Sequence, residues 1–292
     1  MVAARPPGRP GVHTFGPRFA YTITMRGQPV REVPVRISLP IWQELLVGVE
    51  MLFLRVSPVY WGYGIPEGDG SAVIVVPAFL GSDFYLGEFR SWLGRIGYRP
   101  YSSGIGVNAE CPNLLIRMHL TDTIERAYRQ TGRKVHLIGH SLGGLLARAA
   151  AAQVPSRVAS LTTLGAPLGG LSIHSVIARA AESVRREILE RNGESVLPTC
   201  YTPACTCNFV RSLDAQVPKA VRQTAIYTKA DGIVDWRVCI TGDPAIDLEV
   251  SATHMGLAFS PIAYQAVANR LFTAQIPVRK KVRRGTHHRS AV

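Results

Sequence analysis

Lys134–Ala152 reads KVHLIGHSLGGLLARAAAA, and its character changes twice within a few residues. The apolar residues at 135–138 predict a short buried strand, and the Ala- and Leu-rich run at 142–152 predicts a helix. The sequence GHSLGG, residues 139–144, separates the two. This stretch therefore places one serine, Ser141, between glycines at a tight strand-to-helix turn.

The glycines around Ser141 let the strand and the helix approach each other, so that a strained turn can expose the serine hydroxyl. An ordinary helix N-cap is the alternative, because serine is a favoured capping residue. The G-x-S-x-G spacing, with a strand before it and a helix after it, favours the first interpretation. We therefore predict that Ser141 is a catalytic nucleophile.

Apolar strands alternate with amphipathic helices along most of the chain. Besides the opening stretch, strands are predicted in GSAVIVVPAFLGS, YRPYSS, RVASLTTLGAP, QTAIYTKADG and IDLEVSATH. Helices are predicted at about 40–56 and in EFRSWLGRIGY, PNLLIRMHLTDTIERAYRQTG, LSIHSVIARAAESVRREILERNG and SPIAYQAVANRLFTA. This order implies βαβ units, and hence an α/β fold with a mostly parallel central sheet.

Composition divides the 292 residues into three parts. Residues 1–36 are an Arg-, Pro- and Gly-rich arm, residues 37–275 a single α/β domain, and residues 276–292 a basic tail. Within the domain, residues 168–220 are irregular, helical and cysteine-containing, which predicts an insertion over the sheet. Its amphipathic helix is a candidate lid or acyl-pocket wall, and a surface helix packed on the sheet is the alternative.

A serine hydroxyl is a poor nucleophile and needs a base, which in folds of this kind follows the serine and a carboxylate in chain order. His254 follows the strand IDLEVSAT and lies in the loop sequence THMGL, so we predict that it is the base. A structural role is the alternative for a lone histidine. His287 and His288 lie in the basic tail and indicate solvated charge.

The carboxylate that orients the base must lie between the serine and the histidine. Asp231 directly follows TAIYTKA at a strand tip, and Gly232 lets the chain turn there. We predict Asp231 for this role, with Asp235 in reserve, while Asp243 and Asp247 lie closer to the last strand. The alternative is a simple Asp-Gly turn.

Attack on an ester carbonyl places negative charge on its oxygen, which two backbone N–H groups can stabilise. Leu142 follows the nucleophile at a helix N-terminus and is predicted to supply one of them. Phe79, in the loop after the strand AVIVV, is predicted to supply the other. The residues expected to contact the substrate are Leu80, His140, Leu168 and Met255.

The net charge of +13 is concentrated at the two ends of the chain. Residues 1–36 contain six arginines and one acid, and residues 270–292 contain seven basic residues and no acid. Basic tails usually stay solvated, and a weaker alternative is attraction to anionic lipid or nucleic acid. No nucleic-acid-binding motif accompanies them, so nucleic acid is not the expected partner.

The first twenty residues lack an apolar run of signal-peptide length, so a secretory signal is not expected. The apolar sequence IWQELLVGVEMLFLRVSPVYWG, residues 41–62, is interrupted by Glu44, Glu50 and Arg55 and falls short of a membrane-spanning helix. A core or interfacial helix is therefore predicted. We expect a cytoplasmic location, with peripheral membrane association through the basic arm and this apolar helix as a hypothesis.

Five cysteines are present, which without a secretory signal indicates free thiols. The segment CYTPACTC, residues 200–207, admits a disulfide but lacks the paired spacing and the nearby histidine of common zinc sites. A disulfide involving Cys239 is a further alternative. No metal is therefore expected.

The motifs VVPAFLGSD, LIGHSLGG, TLGAPLGG, YTKADGIVDW and VSATHMGLAFSP resemble the bacterial lipase/esterase branch of the α/β-hydrolase superfamily, over about residues 72–272. The resemblance implies the α/β-hydrolase fold, with helices on both faces of the sheet, and a cofactor-independent triacylglycerol lipase or carboxylesterase. It implies the same roles for Ser141, Asp231 and His254. Where many lipases have His-Gly before the oxyanion residue, this chain has Pro77-Ala78.

The expected reaction is hydrolysis of a small-molecule or lipid carboxylic ester through an acyl-enzyme. The same triad could instead transfer the acyl group to an alcohol, or act on thioesters or amides. An alternative of another class is a non-catalytic scaffold whose basic ends bind membrane or nucleic acid, against which the ordered Ser, Asp and His argue. Dehalogenases and epoxide hydrolases would have an aspartate in place of Ser141.

Overall fold

The computed structural model describes residues 39–202 and 204–275. The basic arm predicted at 1–36 and the basic tail predicted at 276–292, with His287 and His288, lie outside the described residues. The described part is organised around one six-stranded sheet.

All neighbouring strands of this sheet run parallel. In chain order the strands are β1 (Ala72–Val76), β2 (Arg99–Ser102), β3 (Val135–His140), β4 (Val158–Leu164), β5 (Arg222–Tyr227) and β6 (Asp247–Glu249). Their order in the sheet is β2-β1-β3-β4-β5-β6, and each neighbouring pair is parallel. The predicted α/β architecture with a mostly parallel sheet is therefore confirmed. The strand order reverses direction at β1 and β3, the position where ligands bind in open α/β sheets.

The helices of the described part connect and cover these strands. They are α1 (Val47–Val56), α2 (Gly87–Arg95), α3 (Pro112–Leu115), α4 (Thr121–Thr131), α5 (Leu142–Gln153), α6 (Ser175–Asn192), α7 (Asn208–Asp214) and α8 (Pro261–Gln275). Short 3₁₀ helices add Ile41–Leu46, Pro58–Trp61, Gly193–Ser195, Trp236–Val238 and Met255–Ala258, and a π-helical turn, Ile116–Leu120, joins α3 to α4.

Two hydrophobic cores lie on the two faces of the sheet. β1 and β3 are buried at every position, as expected for parallel strands covered on both sides. Side chains of α4 and α5 pack on one face, and those of α2 and α8 pack on the other. The sheet thus forms a rigid support for the loops at the carboxyl ends of its strands.

Several helix boundaries differ from the prediction. The helix predicted from Pro112 ends at Gly132 as expected, with Gly132 in the left-handed region at φ 65°, but it contains the π-helical turn. Helix α6 begins at Ser175 rather than near residue 171. It buries only Val184 and Ile188. The role of residues 168–220 as an inserted lid stays a prediction.

The apolar sequence at 41–56 folds as the 3₁₀ helix Ile41–Leu46 followed directly by α1. We call these residues the segment 41–56. It is a surface element, because Leu54 alone among its side chains is fully enclosed. Within residues 39–202 and 204–275, no helix combines the length and apolar character needed to cross a membrane.

Candidate active site

Ser141 occupies a strained turn between β3 and α5. Its φ of 53° and ψ of −123° lie where a residue with a side chain is rarely found. A Cβ on Gly139 would overlap the backbone of Gly143, and a Cβ on Gly143 would overlap the backbone of Val76. These glycines therefore permit the close approach of strand and helix that the sequence predicted, and they leave the serine at the strand's carboxyl end.

Asp231 and His254 form a buried hydrogen-bonded pair. Asp231 Oδ2 lies 2.6 Å from His254 Nδ1, and the two residues are 3% and 1% exposed. Asp231 Oδ1 accepts hydrogen bonds from the N–H groups of Ile233 (2.9 Å) and Val234 (2.7 Å). The reserve candidate, Asp235, instead caps the 3₁₀ helix Trp236–Val238, because its Oδ1 accepts the backbone N–H of Arg237 at 3.0 Å. The structure therefore pairs the histidine with Asp231.

This pair sets the protonation of the imidazole. Burial alone would lower the pKa of His254, but the charge of Asp231 and its hydrogen bond outweigh burial. Glu44 adds a smaller contribution of the same sign, so that the pKa of His254 is raised above its ordinary value. Because Nδ1 carries the proton shared with Asp231, Nε2 is the nitrogen left for a proton acceptor role.

The imidazole of His254 lies beside the serine turn. The N–H of Ser141 donates to the carbonyl of Leu164 at 2.8 Å. The next residue, Gly165, lies against the imidazole, since a Cβ at this position would be 3.0 Å from His254 Nδ1. In the described residues, no hydrogen bond joins Ser141 Oγ to the imidazole. Catalytic hydrogen bonds are often long before substrate binds, and the pairing of Ser141 with His254 stays a prediction.

The loop after β1 holds Phe79 next to this turn. Asn108 fastens the loop on two sides, because its carbonyl accepts the Leu80 N–H at 2.9 Å and its side-chain amide donates to Pro77 O at 2.8 Å. Within the part that the structure describes, the N–H groups of Phe79 and Leu142 donate to no protein acceptor. Both amides therefore lack a protein acceptor, and their role in stabilising an oxyanion stays a prediction. The hydrogen bonds of Asn108 hold this loop, which lacks the His-Gly sequence of many lipases.

A chain of hydrogen bonds connects the loop after β1 to the loop of His254 through Tyr85 and His140. The Ala78 N–H donates to Tyr85 Oη at 2.9 Å, and Tyr85 Oη lies 2.9 Å from His140 Nδ1. His140 Nε2 lies 2.9 Å from the carbonyl oxygen of His254. A carbonyl can only accept, so Nε2 carries the proton and Tyr85 donates to Nδ1.

This arrangement needs a neutral His140. Burial, and after it the neighbouring His254, lowers the pKa of His140 to about 3. The ring is therefore an uncharged linker between the loop after β1 and the loop of His254. The sequence prediction missed Tyr85, because no local spacing indicates that its hydroxyl reaches a residue 55 positions later.

The four residues expected to contact the substrate have different surroundings. Leu80 is 50% exposed with a φ of 59°, and His140 is 0% exposed. Leu168 packs against the core on the α5 side, and Met255 is half-buried with its N–H bonded to Glu44 at 2.8 Å. Contact of these residues with a substrate stays a prediction, and His140 has its ring nitrogens bonded within the protein.

In the described residues, no cysteine thiol is hydrogen-bonded to Ser141, Asp231 or His254. All five cysteines are free thiols, and Cys111 and Cys200 lie in the same buried apolar cluster. Cys239 is buried, with its thiol 3.8 Å from the carbonyl of Asp235. Across residues 39–202 and 204–275, no group of three or more His, Cys, Asp or Glu side chains is arranged to hold a metal ion.

Comparison with known families gives one match. The model of the α/β hydrolase fold family matches residues 123–188, which include β3, the serine turn and α5. Together with the parallel sheet, this match confirms the resemblance to the α/β-hydrolase superfamily. The chain has the α/β-hydrolase fold.

Solved structures of low sequence identity are also similar to this chain. Naproxen esterase (carboxylesterase NP) from Bacillus subtilis is 16% identical over 79% of this chain and 97% of its own, with a TM-score of 0.44. A monoacylglycerol lipase from Paleococcus ferrophilus is 16% identical over 72% of this chain and 97% of its own, with a TM-score of 0.47. The thioesterase domain from the curacin biosynthetic pathway is 15% identical over 71% of this chain and 93% of its own, with a TM-score of 0.41.

Replacing Tyr85 with Phe is expected to destabilise the fold. The change removes the acceptor of the Ala78 N–H and the donor to His140, and it leaves two buried polar groups without partners. A loss of about 1–3 kcal/mol in the free energy of unfolding should follow, measured by urea denaturation. Tyr63→Phe is the control, because Tyr63 is 72% exposed. Equal stability of the two variants would contradict this account of the Tyr85 hydroxyl.

Proposed function

We propose that the protein is a serine hydrolase that cleaves carboxylic esters through an acyl-enzyme. The observation that carries the proposal is the buried Asp231–His254 hydrogen bond, 2.6 Å long, beside a strained serine turn at the carboxyl end of a central strand. An aspartate paired to Nδ1, with a serine hydroxyl near the other nitrogen, is the arrangement in which serine becomes a nucleophile.

In the proposed reaction, the hydroxyl oxygen of Ser141 attacks the ester carbonyl while its proton passes to His254 Nε2. The tetrahedral intermediate places its negative charge between the N–H groups of Phe79 and Leu142. It collapses when the imidazolium gives the proton to the departing alcohol. Water then attacks the acyl-enzyme with the same histidine as base, and the carboxylic acid leaves. Asp231 keeps the imidazole in the useful tautomer throughout.

The segment 168–220 is proposed as the acyl-side wall of the site. Phe79 and Tyr201 pack against a buried cluster formed by Val184, Ile188 and Cys111, among others, and the rings of Phe79 and Tyr201 are 6.4 Å apart. The predicted oxyanion residue therefore contacts this segment directly. An apolar wall at this position favours esters with hydrophobic acyl groups.

A lipid surface is the proposed partner of the segment 41–56. Its outward side chains are large and apolar, and their exposed fractions reach 83% for Leu45 and 61% for Phe53. We call them the apolar face: Trp42, Leu45, Val49, Leu52, Phe53 and Val56. In the sequence, the arm with six arginines and one acid, residues 1–36, precedes the segment 41–56 by four residues. Apolar insertion next to clustered basic charge is the combination that binds anionic membranes.

Replacing Ser141 with Ala is expected to remove ester hydrolysis. Loss of a serine nucleophile lowers turnover by on the order of 10⁶ in a well-studied hydrolase, and p-nitrophenyl esters of graded chain length would measure the effect here. Ser91→Ala is the control, because Ser91 is exposed on α2 and lies outside the proposed site. Equal hydrolysis by wild type and Ser141→Ala would refute the proposed function. An ester product in the presence of added alcohol would indicate acyl transfer instead.

Hydrolysis by the wild type should fall on the acidic side as His254 becomes protonated. Since Asp231 raises the pKa of His254, kcat/KM should decline below a pH that lies above the ordinary value for histidine. Asp231→Asn removes this charge, so the decline should move to lower pH, while kcat falls by roughly 10³–10⁴ because the tautomer is no longer fixed. An unmoved pH profile would show that Asp231 does not act on the base.

The Leu45→Glu/Phe53→Glu double variant is expected to bind anionic vesicles about tenfold more weakly or worse, since two apolar side chains no longer enter the lipid. Co-sedimentation with phosphatidylserine-containing and purely phosphatidylcholine vesicles measures this, with gel filtration alongside. Phe84→Glu is the control, because Phe84 is 90% exposed but lies outside the apolar face. Unchanged vesicle binding, or a wild-type dimer that the double variant dissociates, would contradict lipid docking.

A further inference from the structure

The inner side of the segment 41–56 carries two carboxylates that hold the loops of the proposed acid–base pair. Glu44 Oε1 accepts hydrogen bonds from the N–H groups of Gly232 at 2.9 Å and His254 at 3.1 Å. Glu44 Oε2 accepts one from the N–H of Met255 at 2.8 Å. One side chain therefore binds the residue after Asp231 and also the histidine itself.

Glu50 binds the same loop at Thr253, the residue before His254. Its Oε1 accepts the N–H of Thr253 at 2.7 Å, and its Oε2 accepts the Thr253 hydroxyl at 2.6 Å. Thr253 Oγ1 in turn accepts the N–H of Gly256 at 3.0 Å. The two glutamates thus bind three consecutive backbone N–H groups, those of residues 253–255, in a loop that has no strand or α-helix of its own.

Two glycines of these loops make room for the carboxylates. A Cβ on Gly232 would lie 2.7 Å from the carbonyl oxygen of Pro40 and 2.9 Å from Glu44 Oε1. A Cβ on Gly256 would overlap the carboxylate of Glu50. Separations this short do not occur between a real Cβ and its neighbours, so the loops fit the segment 41–56 only because these positions lack a side chain.

We propose that Glu44 and Glu50 are positioning residues for the Asp231–His254 pair, and that the site is aligned for catalysis only while the segment 41–56 is seated. This inference rests on the proposed ester hydrolase function. The segment binds the two loops from outside the sheet, and the bonds bridge 188 to 211 residues of sequence. Without them, the loop of His254 would be held by the hydrogen bonds of Asp231 and His140 to His254, by the bond from Thr228 Oγ1 to the carbonyl of Ala252, and by core packing.

The charge of Glu44 also acts on the base that it positions. The ionisable groups that face His254 are Asp231 at Nδ1, the neutral His140 against its ring, with centroids 5.0 Å apart, and Glu44 at its backbone. Glu50 binds the preceding residue. Asp231 and Glu44 both favour the protonated imidazole. Removal of the Glu44 charge should therefore lower the pKa of His254 as well as loosen its loop.

The test compares Glu44→Gln with the wild type, using p-nitrophenyl ester hydrolysis across pH. Gln keeps the shape of the Glu44 side chain, but one of its two terminal groups is an N–H₂ donor. This group would face backbone N–H groups that need an acceptor, so the loop of His254 should shift. We expect kcat to fall by roughly 10- to 100-fold, because small misplacements of reacting groups have effects of this size. KM should change little, and the acidic limb of kcat/KM should move to lower pH.

Controls separate positioning from general loss of structure. Glu67→Gln is the matched control, because Glu67 is exposed, and circular dichroism with a thermal melt checks the fold of each variant. If Glu44→Gln folds poorly, the same measurements on Glu50→Gln decide, with a fall in kcat expected at unchanged KM. Glu50 bonds only to Thr253 in this loop.

The outcomes distinguish this inference from the proposed function. A wild type without esterase activity would refute the function on which the inference rests. An active wild type with a folded Glu44→Gln variant of unchanged kcat and unchanged acidic limb would refute the positioning role alone. Lower stability with unchanged kcat and pH profile would also refute it, because the glutamates would then only support the fold.

Discussion

The buried hydrogen bond between Asp231 and His254 is the interaction on which the rest of this site depends. A carboxylate that is 3% exposed loses most of its hydration, and an unpaired charge in that position would be strongly destabilising. The protein offsets this cost with two backbone N–H groups on Asp231 Oδ1 and the imidazole on Oδ2. The surrounding loops must therefore hold their backbone donors in register, which explains why so many hydrogen bonds converge on residues 230–256.

Two neighbouring histidines show how these surroundings assign different roles to one side chain type. His140 and His254 have ring centroids 5.0 Å apart, yet burial lowers the pKa of His140 to about 3 while Asp231 raises that of His254. The first is thus fixed as a neutral linker that donates to the carbonyl of the second. Environments that separate the pKa values of adjacent groups commonly divide structural and acid–base roles in this way.

Sequence patterns predicted the parts of the site that depend on local structure and chain order. The turn at Ser141 follows from its flanking glycines, and His254 and Asp231 follow from their places after strands. Tyr85 and Glu44 were not predicted, because their partners are distant in sequence and depend on how the loops meet above the sheet. The segment 41–56 was predicted as a core or interfacial helix, but its apolar composition on several sides could not show which side faces the protein.

The orientation of that segment has a consequence for the apolar face. Glu44 and Glu50 point inward because the loops of the pair require acceptors, so the outward positions must be filled by the remaining residues of the helix. The hydrogen bonds of the glutamates do not require those residues to be apolar, since polar side chains there would leave the inner contacts intact and would be better solvated. Trp42, Leu45 and Phe53 therefore need a separate physical cause, and the proposed insertion into a lipid surface would provide one. Under that proposal, the same helix connects lipid contact to the alignment of His254, since one side would bind lipid and the other binds the loop.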